Sequence, residues 1–297
     1  MDNITLKEAM VSTSEALERV LAPILAVPEG PEARVYEAMK HSVFAGGKRL
    51  RPFLVVASAD LFGVERQHSL RVAAALECVH CYSLIHDDLP AMDDDDLRRG
   101  KPTVHVAFDE ATAILAGDAL LTLAFEILGD EATHPDPRVR CELVSKLAKA
   151  AGPQGMVGGQ MIDLTAADHD LDERAIFRLQ NMKTGALIAF AAEAGAILGG
   201  VGKHARASLA GYARDVGLAF QIADDLLDVE GTEDEVGKAV GKDEEAGKAT
   251  LIGIMGVERA KQQAEMLADQ AISHLKDFDK KAELLRAVAH FAIKRRT

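Results

Sequence analysis

Two stretches decide how this chain is read: Cys81-Tyr82-Ser83-Leu84-Ile85-His86-Asp87-Asp88-Leu89-Pro90-Ala91-Met92-Asp93, and Leu218-Ala219-Phe220-Gln221-Ile222-Ala223-Asp224-Asp225-Leu226-Leu227-Asp228. Each is an apolar run that ends in aspartates. Charges at the end of a buried helix are costly unless something pairs with them. Two such clusters facing each other make a wet, hard-oxygen pocket for divalent cations, and they point to chemistry on a phosphorylated, otherwise greasy substrate. On a helix Asp224 and Asp228 share one face, and a cation between them removes their repulsion. In the first stretch Pro90 cannot continue the helix regularly, so a local bulge brings Asp93 towards Asp87. Mg²⁺ takes one or two carboxylates together with waters and substrate phosphates. A lone acidic run is ordinarily a solvated face or a cap, and Asp94, Asp95 and Asp96 fit that description. Two matched motifs on apolar helices favour metals. An EF-hand is excluded for want of its loop spacing, glycine and closing glutamate.

Outward from these stretches nearly every segment repeats apolar residues at three- and four-residue intervals. The pattern predicts helices over Leu6–Leu25, Glu32–Val43, Arg51–Asp60, Leu70–His86, Asp109–Ile127 and Val139–Ala151. It continues over Glu173–Ala196, Ala205–Asp228, Val257–Leu275 and Lys281–Ile293. Breaks fall where Gly and Pro cluster, at Pro28 to Pro31, His134 to Pro137 and Gly199-Gly200. No alternating run of useful length appears, so no sheet is expected. The expectation is one all-α domain over residues 1–297, a helical bundle around a central cavity. A weak internal echo places one half-bundle behind each aspartate motif, without a strict repeat period.

Composition sets the outer limits. Hydrophobic residues make up 48% of the 297 positions and aromatics 4%, with no Trp, so the core is built from Leu, Ala, Val and Ile as in helical bundles. A net charge of −13 argues against a nucleic-acid surface and against an anionic membrane face. Three cysteines, Cys78, Cys81 and Cys141, suit a reducing compartment. Cys78-Val79-His80-Cys81 has a zinc-like look, but no second pair completes a set, and core packing is the better account of its sulfurs. The apolar stretch Leu187–Val201 is interrupted by Glu193 and too short to span a membrane. The first residues lack the regions of a signal peptide. A cytoplasmic protein without a membrane span is expected.

Cations gather at three places. Gly46-Gly47-Lys48-Arg49-Leu50-Arg51-Pro52 sets three of them beside a flexible glycine pair, suited to phosphate oxygens, although basic loops are often only solvated. Arg98 and Arg99 follow the first aspartate motif, and His80 precedes it on the same helix. Lys183-Thr184-Gly185 opens another apolar run, and Gln221 shares a helix face with Asp224. Alone, the Lys183-Thr184-Gly185 and Gln221 signals are better explained by caps and turns, and a lone His such as His80 is more often a core residue.

Taken in order, the strings GGKRLRP, LIHDDLPAMDDDDLRRGKPTVH, GGQMIDL, KTGALI, FQIADDLLD and GKAVGKD resemble the trans-prenyltransferases, the head-to-tail isoprenyl diphosphate synthases, and within them the bacterial farnesyl diphosphate synthases. The resemblance covers essentially the whole chain. It implies the all-α isoprenoid synthase bundle, normally as a homodimer. It implies two Mg²⁺ ions on Asp87 and Asp93 and a third on Asp224 and Asp228. Arg98, Lys183 and Lys238 would hold the allylic diphosphate, and Lys48, Arg51, His80 and Arg99 isopentenyl diphosphate. Thr184 and Gln221 would line the allylic centre, while Lys248 reaches phosphate as a lid closes. In place of the family's usual Ser-Tyr or Thr-Tyr pair the chain has Thr250-Leu251. The basic end, Lys294 to Thr297, either covers the isopentenyl site or is a solvated tail.

Product length should be decided above Asp87. Tyr82 lies five positions upstream, about 7.5 Å along a helix, where its ring would stop the growing tail, and the small Ser83 beside it lets the tail pass ten carbons. An ordinary core role for Tyr82 is the plainer alternative. The expectation is condensation of isopentenyl diphosphate with dimethylallyl or geranyl diphosphate to farnesyl diphosphate. Competing readings are a geranylgeranyl diphosphate synthase and, from another class, a non-catalytic prenyl-synthase-like subunit. A terpene cyclase would lack GGKRLRP and the second full aspartate motif.

Overall fold

α4, Arg66–Asp87, is the helix around which the others assemble. Every position from Val72 to Val79 is buried, so this helix has no solvent side, as befits a core helix. Its Ala73-Ala74-Ala75 step lets neighbours approach on all sides. α1 (Leu6–Ile24), α2 (Ala33–Val43), α3 (Leu50–Asp60), α6 (Glu110–Gly129) and α10 (Ala186–Leu198) all pack directly on it. The computed structural model describes residues 5–166, 172–230 and 251–294.

The remaining elements extend this jacket. α5 (Val104–Ala107), α7 (Pro137–Ala151), α8 (Met156–Leu164) and α9 (Glu173–Gln180) lead to α10. α11 (Lys203–Glu230) then packs on α10 and is covered in turn by α13 (Val257–His274) and α14 (Glu283–Lys294), with the short α12 (Leu251–Met255) beside it. One contiguous apolar cluster runs from α1 to α14. Helix starts carry the side chains expected of them. Thr5 and Glu8 form a capping box, Asp109 accepts from the Thr112 amide at 2.7 Å, and Asp172 accepts from the Ala175 amide at 2.8 Å.

Three differences from the sequence reading have physical causes. Leu97–Arg98 and Lys101–Pro102 form a two-residue antiparallel hairpin, too short to leave an alternating pattern. Its turn residues Arg99 (φ 53°) and Gly100 (φ 73°) are both left-handed, as a tight two-residue hairpin turn requires. The helix read over Glu173–Ala196 is interrupted at Asn181–Gly185 by a single π turn, which apolar spacing does not announce. Thirdly, Glu110–Gly129, and not Leu187–Val201, is the segment among the described residues that is long and apolar enough to cross a membrane; 44% of its most apolar 18-residue stretch is buried inside the fold, packed on α4.

α10 approaches α3 closely at a glycine. A Cβ on Gly195 would lie 2.3 Å from the Ala59 backbone nitrogen and 2.3 Å from the Ser58 carbonyl carbon. Backbone atoms cannot step aside as a side-chain tip can. Gly195→Ala is therefore expected to cost about 1–3 kcal/mol through overpacking. Gly129→Ala, where nothing stands within 4 Å, is the control and should be neutral or stabilising. Thermal or urea unfolding of the two variants checks this.

Candidate active site

α4 carries the first aspartate motif to the edge of the core and stops there. The chain then turns back on itself: the Asp93 amide donates to the Asp87 carbonyl at 2.8 Å and the Asp95 amide to the Asp88 carbonyl at 3.2 Å. This loop sets Asp93 beside Asp87. Burial pushes the Asp87 carboxyl up to about 6, Lys183 and Arg98 draw it down, and Asp93 and Asp88 add to the rise. Asp88 faces inward, is almost wholly buried, and accepts from Arg98 Nε at 2.6 Å. Arg98 also reaches Asp95 at 3.5 Å.

Two cavities open from Asp87 and Asp224. The first, about 400 Å³, is mostly apolar; Asp87, Lys183, Tyr82, Ser83, Met156 and Leu187 are among its walls. The second, about 480 Å³, is basic, and Lys48, Arg51, His80, Arg99, Gln221 and Asp224 are among its walls. Arg51, His80 and Thr184 line both, so the cavities adjoin. Each aspartate motif thus sends one carboxylate into a joined apolar and basic space.

Local backbone conformation builds the basic side. Gly47 (φ 118°) leaves space for the Arg99 guanidinium, which a Cβ there would meet at 2.5 Å, and Arg99 Nη1 donates to the Gly46 carbonyl. Arg51 is half-buried, and its Nε is buried with no partner among the described residues. Burial draws Arg51 below the ordinary arginine range against the pull of Glu77 and Asp224. Burial, reinforced by Arg51, Arg99, Arg49 and Arg98, holds His80 well below the usual imidazole range, so its ring is neutral at pH 7. On the other side, the π turn carries Lys183 and Thr184. Gly159 of α8 lies so close to it that a Cβ would fall 2.3 Å from the Lys183 amide nitrogen. Lys183 Nζ meets Asp163 at 2.5 Å.

Most residues singled out from the sequence therefore meet around one space. Arg98 and Asp93 line neither cavity; Arg98 is engaged by Asp88 and Asp95, and Asp93 is held beside Asp87 by its backbone amide. Lys238 and Lys248 lie outside the described residues; the backbone of Asp228 belongs to α11, but its side chain lies outside them too. Sequence reasoning missed Glu77, a buried wall of the basic cavity, and Asp163, the partner of Lys183. It also missed the apolar row Val157, Met161 and Leu164 on α8, whose three- and four-residue spacing was the available signal.

The polyprenyl synthetase profile matches residues 32–290. The chain is 46% identical to a farnesyl diphosphate synthase of Escherichia coli, over 98% of this chain and 97% of that one. It is 42% identical to a geranylgeranyl diphosphate synthase of Cyanophora paradoxa, over 91% and 90% of the two chains. The crystal structure of an FPP/GFPP synthase from Zymomonas mobilis superposes with a TM-score of 0.89 at 52% identity, covering 97% of this chain and 98% of that one. The chain belongs to the polyprenyl synthetase family. It is accordingly a prenyltransferase of the head-to-tail type.

Farnesyl diphosphate synthases use Mg²⁺, and the donor set of this family member fits such an ion. Asp87, Asp93 and Asp224 offer hard oxygens, and the raised Asp87 carboxyl is what a partly desolvated carboxylate beside others shows before a cation balances it. No three potential ligands already converge among the described residues.

The sign of the Asp87 shift gives a test. With its folded value near 6 and an ordinary value of 3.8, the folded chain binds this proton more tightly than the unfolded chain. Charging Asp87 therefore costs stability as pH rises from about 4 to about 6, and the full cost is present at pH 7. Without metal, Asp87→Asn should melt several degrees higher than the parent at pH 7, and the gap should close below about pH 4. Melting curves with excess chelator across that range check it.

Proposed function

We propose that this polyprenyl synthetase makes farnesyl diphosphate from isopentenyl diphosphate and dimethylallyl or geranyl diphosphate. The observation that carries the reading is the junction of an apolar cavity under Asp87 with a basic cavity beside Asp224, through Arg51, His80 and Thr184. One space suits a greasy tail whose diphosphate sits at its mouth, and the other suits a small, highly charged co-substrate. Asp87 and Asp93 would hold two Mg²⁺ ions and Asp224 and Asp228 a third. When bound, the metal neutralises the leaving diphosphate.

The chain's own residues account for the rest. Lys183, beside Asp87 in the apolar cavity, places a cation where negative charge grows as the allylic C–O bond breaks and its electron pair leaves with diphosphate. Arg98 and Lys238 would join it on the allylic diphosphate, Arg98 by leaving its carboxylates, and Lys248 would reach the same phosphates. Lys48, Arg51 and Arg99 hold the isopentenyl diphosphate, with neutral His80 between them as a hydrogen-bonding group and not a charge. The carbon–carbon double bond of that substrate attacks the allylic cation across the cavity junction, where Thr184 and Gln221 present oxygen dipoles to the positive centre. Apolar walls at Met156 and Leu187 keep water from the cation. Loss of a proton to the departed diphosphate completes the new double bond.

Tyr82 sets the stop for fifteen carbons. Its ring is buried against His86, with centroids 5.7 Å apart and edge to face, and burial pushes its hydroxyl up to about 12, so it stays neutral. Ser83, its hydroxyl turned back to the His80 carbonyl at 2.9 Å, leaves space alongside. The chain acts as one catalytic domain and as a homodimer in the cytoplasm. A second reading, a twenty-carbon product, is favoured by the half-exposed Val157 and Met161, which leave the apolar cavity a greasy way out on its α8 side.

Incubation with isopentenyl and dimethylallyl diphosphates, with and without Mg²⁺, followed by mass spectrometry, tests both readings. A metal-dependent fifteen-carbon product is expected, lengthening to twenty carbons or more in Tyr82→Ala. A mainly twenty-carbon product from the parent removes Tyr82 as the stop. No product from folded protein defeats the synthase reading and leaves the non-catalytic subunit.

A further inference from the structure

Glu77 stands in the wall of an anion-binding cavity, where its charge is out of place. It lies on α4, one turn before His80 and Cys81, with its side chain 1% exposed. Oε1 accepts from Arg49 Nη1, and the Cys81 thiol lies 3.8 Å from the same oxygen. Arg49 Nη2 donates to the Val43 carbonyl at the end of α2. One guanidinium thereby ties together the end of α2, the start of α3 and the middle of α4. Arg49 itself is left-handed (φ 47°), a conformation uncommon for a residue with a side chain, and its own carbonyl receives the Phe53 amide at 3.0 Å as α3 begins.

This arrangement leaves three buried atoms without a partner among the described residues: Glu77 Oε2, Arg49 Nε and Arg51 Nε. All three residues line the basic cavity. Glu77 acts electrostatically on Arg51 and Arg99 as well as on Arg49. Burial works against charge on Arg49, yet Glu77 beside it keeps that guanidinium above the ordinary arginine range. Lys48, Arg49, Arg51 and Arg99 would repel one another before any anion arrives, and a buried carboxylate is what keeps such a cluster closed.

We propose that Glu77 is a positioning residue for the isopentenyl diphosphate pocket. It draws Arg49 into the core, and that fixes the left-handed turn from which Lys48 and Arg51 meet the diphosphate. The inference rests on the reading of the basic cavity given above. By Coulomb's law alone, removing a negative charge from an anion site tightens anion binding. A positioning role demands the opposite sign, because the cations lose their preset spacing.

Two variants test it. Glu77→Gln keeps the shape and an acceptor oxygen for Arg49 but removes the charge. The double variant Arg49→Met with Glu77→Leu replaces the pair by apolar groups, an exchange buried ion pairs often tolerate without loss of fold. With folding verified by thermal melting, KM for isopentenyl diphosphate should rise about tenfold in both, while KM for geranyl diphosphate changes by less than about twofold. An unchanged or lowered KM for isopentenyl diphosphate, or an equal rise for both substrates, overturns the proposal. Calorimetric binding of inorganic pyrophosphate separates this from the reaction assignment. If the parent forms no prenyl product, the synthase reading fails, and weaker pyrophosphate binding by Glu77→Gln still supports the positioning role, whereas equal or tighter binding refutes it.

Discussion

The constraint on which this molecule turns is that its most deeply buried helix must end in charge. α4 is buried around its whole circumference from Val72 to Val79, with Glu77 its one charged residue there, and then delivers Asp87 and Asp88 within a few residues. Desolvation opposes both carboxylates. They are accommodated differently. Asp88 goes inward and takes Arg98 as its counter-ion, whereas Asp87 goes to the cavity and keeps its excess charge. The jacket of helices around α4 gives that charge a fixed address. Without so rigid a base, two carboxylates at a cavity edge would relax towards water.

Electrostatics within the molecule are sorted against its overall charge. A chain with a net −13 collects cations at one wall, from the loop before α3 and from the hairpin after the aspartate motif. The sorting depends on backbone handedness. Gly47, Arg49, Arg99 and Gly100 all have positive φ, and the two loops meet where Arg99 covers Gly47. Neutral His80 lies among these arginines without adding to their repulsion. The result is a basic pocket inside an acidic chain.

Much of this was legible in the sequence, for reasons specific to helices. Apolar periodicity locates α1, α4, α6 and α11 because each buries a stripe or a full circumference, and the ordered aspartate and basic strings locate the two cavities. What was not legible turns on three-dimensional proximity. Arg98 reads as a phosphate ligand, and nothing in its neighbourhood announces that Asp88 will hold it. Glu77 goes unnoticed in an apolar run, since its meaning lies in Arg49, which is distant in the chain. The hairpin at Leu97–Pro102 is too short to alternate, and the π turn at Asn181–Gly185 differs from an α-helix by a single residue.

That single residue fixes more than its own neighbourhood. Each position advances an α-helix by roughly 100°, so the extra residue at Asn181–Gly185 offsets the phase of α10 from that of α9 by about a quarter of a revolution. α9 can then direct Ile176 into the core while α10 buries almost its whole length from Leu187 to Leu198, each in its own rotational setting. The joint works as a crank, and Lys183 and Thr184 ride on its throw. Excising one residue there would yield a straighter, more regular rod. It would also turn the whole of α10 against α3 and α4, so in this segment the regularity of the helix and the aim of its lysine exclude one another.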